Sequence, residues 1–430
     1  MASTMTETPG ATSPASPAWR WYAWGVVAVF WAIFFLNQAD RQVIFSVFPL
    51  VKSEMNLSDV QLGAISSVFF WVYAVLVPLA GGAGDIFSRK WIIIAALTLW
   101  SAATFGSSLA TSLTLLVLLR AFTAAGEAFY YPAAASFISD LHGPATRSTA
   151  LSVHQTANYF GVMVSGGLAG YIGQHYGWRM SFLVFGVAGI AVAAATSLLL
   201  KEPARGSTEL PAGSATGTVL GRCVEAVRNP SFSLHTVSFL AMLVALTAYL
   251  TWMPTLLYRK FGMDLTSAGL NATLWHHLGA MAGTLLGGRL ADRLALRNVV
   301  SRPAIQAAGL LCGAPFIFLT GFATAPVIVF VALALFGFCR GLYDSNLFAS
   351  PFEVVPAGAR STATGLMLAV GFCGGGIGPW FTGRLSQQFD LSIALSSTAT
   401  FYVIGGLLLT ADCLFFFRKG AARTRAAQAA

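Results

Sequence analysis

The sequence predicts an all-α membrane protein, with twelve transmembrane helices in two pseudo-symmetric six-helix bundles. Three observations predict it. Apolar stretches of about 20 residues recur along the 430 residues, each long enough to cross a bilayer as a helix. Lys and Arg concentrate in every second connection. Polar motifs of the first half return in the same order in the second. Composition agrees: 56% of residues are apolar and 10% charged, against about a quarter charged in a soluble domain.

The expected spans are 22–51, 60–80, 91–110, 113–139, 148–173, 179–200, 232–258, 266–290, 302–320, 326–350, 360–385 and 392–417. Residues 1–20 are rich in Ser, Thr and Pro and lack a charged n-region, so they read as a disordered tail and not a signal peptide. Residues 201–230, rich in Pro, Gly, Ser and charge, read as a linker between bundles at 21–200 and 231–418, and 419–430 as a second tail. With both termini cytoplasmic, 17 of the 25 Lys and Arg face the cytoplasm, and only Lys52, Arg179, Arg259, Lys260 and Arg384 face outward. This satisfies the positive-inside rule and places the chain in a cell inner (plasma) membrane. It accounts for the net charge of +9 without nucleic acid, because the basic residues are spread over short loops. The five cysteines show no CxxC spacing, so no disulfide framework is expected.

The duplication is legible in three motif pairs. GGAGDIFSRK (81–90) follows the second helix and GGRLADRLALR (287–297) the eighth. Arg147-Ser-Thr-Ala opens the fifth helix and Arg360-Ser-Thr-Ala the eleventh, and Arg120 in the fourth is matched by Arg340 in the tenth. The offsets of Asp85 to Asp292, Arg147 to Arg360 and Arg120 to Arg340 are 207, 213 and 220 residues. Such repeats build transporters with a site near the midplane between them.

These loops resemble the signature of the major facilitator superfamily over essentially the whole chain. The first copy departs from it at Gly84 and Ile86; the second keeps Gly288, Leu290, Ala291, Asp292 and Arg293. Gly81 and Gly288 permit close helix approach. Asp85 can cap the next helix or pair with a basic residue. Arg89 would hold its loop at the anionic cytoplasmic surface. With Asp292 and Arg293, these residues are candidates for gating the inner mouth. The resemblance also implies a monomer.

Asp40, Arg41, Arg120 and Glu127 interrupt otherwise apolar runs. Charge there is costly and marks substrate or proton paths. Adjacent Asp40 and Arg41 leave their helix about 100° apart, so each requires a different partner. Arg120 and Glu127 are two turns apart and share a face. Protonation of Asp40 or Glu127 would release an arginine, whose planar fork suits a carboxylate. This reads as proton-coupled symport of a small organic anion, with Asp40 and Glu127 carrying protons and Arg41 and Arg120 binding the anion.

The same quartet resembles that of the anion:cation symporters of the superfamily. That resemblance implies proton coupling and carboxylate binding, places Tyr73 on the site side and makes Asn158 a polar substrate contact. Gln38 departs from an aromatic position of that branch. The alternative is a spinster-like proton-linked exporter of lysolipid or sphingolipid, which WSAATFGSSLA (100–110) and GEAFYYPAAASFISDL (126–141) resemble. Gln155, Asn158 and Tyr159 can share one face of a polar fifth helix and favour a hydrophilic substrate. In the second half, Arg340, Asp344 and Asn346 are candidate substrate contacts, and His276 and His277 candidate proton relays. The glycines of GFCGGGIGP (371–379) predict a bend in the eleventh helix. No cofactor, metal cluster, nucleophile triad or phosphate loop is legible, so an enzyme is not expected. The expected partners are a small-molecule anion, protons and the lipid bilayer.

Overall fold

A computed structural model describes residues 17–143, 146–203, 219–356 and 359–429. Of the expected tail 1–20, residues 1–16 lie outside the described residues and 17–20 open α1; half of the expected linker, 204–218, also lies outside them. In the first half the helices are α1 (Pro17–Ser46), α2 (Phe48–Met55), α3 (Asp59–Ile86), α4 (Arg89–Ser107), α5 (Leu113–Leu141), α6 (Arg147–Tyr176) and α7 (Trp178–Leu199). Next come α8 (Val219–Arg228), α9 (Pro230–Phe261), α10 (Leu265–Ala295), α11 (Ser301–Phe322), α12 (Pro326–Asp344) and α13 (Ala349–Val354). The last are α14 (Arg360–Gln388), α15 (Leu391–Ser397), α16 (Ala399–Phe415) and α17 (Phe417–Ala429). Ten segments among the described residues are long and apolar enough to cross a membrane. The other two long helices, α6 and α10, are more polar, and they pack on each other where the halves meet.

Local chemistry sets the boundaries. Ser58 and Gln61 form a capping box that starts α3. Ser112 caps α5, Asn229 precedes Pro230 at the first turn of α9, and Asp264 caps α10. Three expected elements differ from those seen. The first span breaks at Val47, because Pro49 cannot continue the hydrogen-bond ladder. The end of the linker and the C-terminal tail are helical, as α8 and α17. The glycine-rich run 371–379, where a bend is expected, lies within the single helix α14. Its glycines serve close approach: a Cβ at Gly378 would lie 2.1 Å from the Val244 carbonyl. Pro379 has no N–H for the Gly375 carbonyl, and Thr247 Oγ1 lies 2.7 Å from that oxygen as a substitute donor.

The start of α1 and the end of α16 lie at one face, the terminal face; the opposite face is distal. The hydrogen bonds and ion pairs seen between the halves run from the distal face to mid-bundle. At the distal face Asp59 receives both guanidinium nitrogens of Arg259 at 2.9 Å, Lys52 at 2.6 Å and Ser386 at 3.1 Å. Below it, α6 crosses α10 with no side chain between the backbones: a Cβ at Gly166 would lie 2.5 Å from the Gly269 carbonyl. The innermost bond is Trp71 Nε1 to the Cys373 carbonyl, 3.3 Å. The chain is thus closed at its distal face. Asp59→Asn should weaken that closure by about 2 kcal/mol, less than a fully buried pair because Lys52 and Arg259 are partly exposed. A longer distance between spin labels at the exposed distal residues Leu109 and Phe389 would report it. An unchanged distance would remove Asp59 from the closure.

At the terminal face Arg89 does not lie at a lipid surface. It is 2% exposed, paired with Asp140, 3.6 Å from Glu202 and over the Phe137 ring. Sequence position put it in a loop, but two carboxylates draw it inward. Glu202 also accepts from Ser88 and from the Arg89 amide. Burial alone would raise the Glu202 carboxyl; the hydrogen bonds from Ser88 and the backbone, with the charge of Arg89, outweigh it and hold the group below its ordinary value. A depressed acid stabilises above its unfolded-state value and loses that contribution as pH falls through the folded one. The stability difference between the native chain and Glu202→Gln should therefore shrink on acidification, as thermal melts at several pH values would show.

Candidate functional site

The four intramembrane charges gather where α1, α3, α4 and α5 meet, but they do not act as one cluster. Arg41 Nε lies 2.5 Å from Glu127 Oε2, with the arginine side chain 20% exposed and the glutamate fully buried. The Arg41 guanidinium carbon lies 5.1 Å from the Phe69 ring centre and 4.8 Å from that of Tyr73. Tyr73 in turn meets Phe372 of α14 at 4.6 Å, so Arg41 sits at the seam between the halves.

Asp40 points elsewhere, as the 100° step requires. It faces Trp100 and Thr104 of α4, is 1% exposed, and forms no ion pair among the described residues. Arg120 is equally buried and reaches the backbone carbonyl of Asp40 at 3.3 Å, not its carboxylate. Its Nε and Nη2 have no partner, and its guanidinium lies 4.8 Å from the Phe69 ring. This corrects one expectation: protonating Asp40 would release no paired arginine, and only Glu127 holds one. Two guanidiniums share the face region of Phe69, favoured by the ring quadrupole and offset by Glu127, which lies in the field of both. Phe69 was not singled out from sequence, although its four-residue spacing from Tyr73 puts both on one face of α3.

Across the seam, Arg340 Nε lies 3.0 Å from Asp344 Oδ2, one helical turn on, and Arg340 Nη1 lies 3.2 Å from His276 Nε2. His276 packs against Tyr249 and Phe336, each 4.6 Å away. His277 is held by the Thr273 carbonyl at 2.7 Å. Asn346 is buried and donates to Ser345 Oγ at 2.8 Å. The fifth-helix trio divides. Asn158 accepts from Gln38 of α1, and Tyr159 stands edge-on to His277, near Arg340 and Asp344. Gln155 is half-buried. The structure thus brings Arg41, Tyr73 and Glu127 to one side of the seam and Arg340, Asp344 and His276 to the other, with Tyr159 of the first half reaching the second group.

The loop residues are distributed differently. Asp292 pairs with Arg302 at 3.0 Å, and Arg302 with Glu353 at 2.6 Å. Arg293 is exposed, and a Cβ at Gly288 would meet open space, so Gly288 makes no close approach. Gly287 does, against Leu342 and Ser345. Gly81 and Asp85 fall in the last turns of α3, but their side chains are outside the described residues.

Comparison with known proteins gives a consistent result. Residues 30–379 and 257–429 match the profile of the Major Facilitator Superfamily. Protein spinster of Drosophila melanogaster is 30% identical over 386 residues, which are 85% of this chain and 62% of that protein. The chain thus spans less than two thirds of that relative's length. The probable sulfoacetate transporter SauU of Cupriavidus necator is 26% identical over 388 residues, 86% of this chain and 90% of that one. A crystal structure of a bacterial homolog to the human lysosomal transporter Spinster, inward-facing and unoccupied, superposes with a TM-score of 0.78 at 22% identity, covering 96% of this chain and 98% of that one. These matches, with the twelve-helix duplicated architecture, make the chain a membrane transporter and not an enzyme, and it belongs to the Major Facilitator Superfamily.

Proposed function

We propose that this chain is a secondary active transporter that moves a small organic anion, of the sugar-acid or carboxylate class, together with protons by alternating access. The observation that carries this is the Arg41–Glu127 pair. A partly exposed guanidinium at the seam is neutralised by a fully buried carboxylate 2.5 Å away. Proton transfer to Glu127 frees that guanidinium, and a substrate carboxylate takes its place in the same planar fork. Tyr73 and Tyr159 of the first half flank the anion, and the Arg340–Asp344 pair faces it from the other half. Asp40, buried against Trp100 and Thr104 with no ion pair among the described residues, is the second proton carrier. Its ionised form would meet the cost of an unpaired buried charge, which favours exchange of a proton over a lasting ion pair. The Lys and Arg distribution supports an inner membrane with both termini cytoplasmic. In that orientation the face closed by the Asp59 cluster is the outer one. The chain is proposed to act as a monomer.

The test is uptake into proteoliposomes under an imposed pH gradient. A sugar acid or short carboxylate should acidify the lumen as it enters. If no member of such a panel does so, the symport reading fails. A second reading, proton-linked export of a lysolipid or sphingolipid, is favoured by the similarity to the spinster proteins. It predicts that a lysolipid, and no sugar acid, moves protons in the same assay.

A further inference from the structure

A second ligand site lies away from the seam, at the terminal end of the second half. A cleft of about 570 Å³ is walled by α8, the start of α9, residues 354–356, Ala359 and α17. This is within the range of small-molecule sites. Arg228, Lys419 and Arg423 line it against the single acid Glu225. Among the described residues no ion pair joins any of the four. Three unopposed cations in one concavity repel each other, and an anion inside would relieve that repulsion. Asn229, which ties α8 to Val354 through a 2.7 Å hydrogen bond, fixes the wall between them.

The surroundings identify the anion. The cleft sits at the ends of the membrane helices, since Pro230 opens α9 and Phe416 follows the last residue of α16. Directly beside the basic rim, Leu414, Phe415 and Phe416 are exposed at 71%, 61% and 41%, and Val227 of α8 at 55%. Basic groups at the water boundary next to an exposed apolar strip match a headgroup phosphate with its acyl chains. We infer that this cleft binds the phosphate headgroup of an anionic phospholipid and thereby fastens the linker helix α8 to the tail helix α17. The inference does not depend on the transported substrate.

The experiment uses the full chain, purified in detergent, with thermal melting and native mass spectrometry. Phosphatidylglycerol or cardiolipin should raise the melting temperature and remain bound; phosphatidylcholine should do neither. The triple variant Arg228→Gln/Lys419→Gln/Arg423→Gln should lose lipid affinity by at least about 10-fold. Those positions are surface-lining, and native-like melting without lipid would verify folding. Arg289→Gln/Arg293→Gln/Arg297→Gln, which removes three charges elsewhere on the terminal face, should leave binding unchanged. Glu225→Gln should tighten it. Equal loss in both triple variants, or equal stabilisation by phosphatidylcholine, overturns the site. Equal stabilisation by inorganic phosphate alone overturns the lipid assignment.

Discussion

Glu127→Gln is expected to abolish accumulation of substrate driven by a pH gradient while leaving exchange without a gradient intact. The glutamine is close in shape and stays neutral, so Arg41 is free at every pH and can still hold an anion. What disappears is the proton that must accompany each cycle. One pH unit across the membrane is worth about 1.4 kcal/mol per proton, a tenfold concentration ratio. With one coupled proton, accumulation in the native chain should thus approach tenfold per unit and fall to unity in the variant. Asp40→Asn makes the useful contrast. It also removes a proton carrier but keeps the Arg41–Glu127 pair, so accumulation should fall while substrate affinity remains pH-dependent. If Glu127→Gln still concentrates substrate as the native chain does, the coupling role of this pair is wrong.

Gly269→Val should drive the protein out of the conformation closed at its distal face. A Cβ at Gly269 would lie 2.0 Å from the Gly166 carbonyl oxygen and 3.2 Å from Ser46 Oγ. The first obstacle is helical backbone, which cannot rotate away as a side chain can. Separating α6 from α10 by the required ångström or more removes the packing that seals the halves. Overpacking of this kind costs about 1–3 kcal/mol, which moves a two-state equilibrium by roughly 5- to 150-fold. The spin-label distance between Leu109 and Phe389 should lengthen, and transport should slow because one of the two states is depleted. A native distance distribution with normal transport would show that this crossing does not govern closure. The Asp59 cluster acts on the same equilibrium but can rearrange through solvent, so its replacement has the smaller effect.

The first prediction rests on residues that the sequence marked, but with partners it could not supply, whereas Gly269 was not singled out from sequence. Arg41 was recognisable because charge within an apolar run is costly, whereas its pairing with Glu127 depends on how α1 and α5 pack. Asp40 showed the limit of adjacency: its neighbour enters the seam while it turns toward Trp100 and Thr104 of α4. Arg89 showed another. A loop position read from hydropathy concealed Asp140 and Glu202, which are distant in sequence and draw the guanidinium under the surface. The glycine run of α14 predicted a bend from sequence; that its neighbours Val244 and Trp71 require small residues there was visible only in the structure.

By itself the sequence determined the twelve spans, their duplication, the positive-inside bias and the identity of the buried charges. Each of these follows from local quantities: length of apolar run, spacing, and the cost of charge in hydrocarbon. Only the tertiary structure decided which carboxylate holds an arginine, which face is closed, and where α8 and α17 leave unopposed basic groups. Those outcomes depend on contacts between residues far apart in the chain, and helical periodicity fixes the direction of a side chain without fixing what it meets.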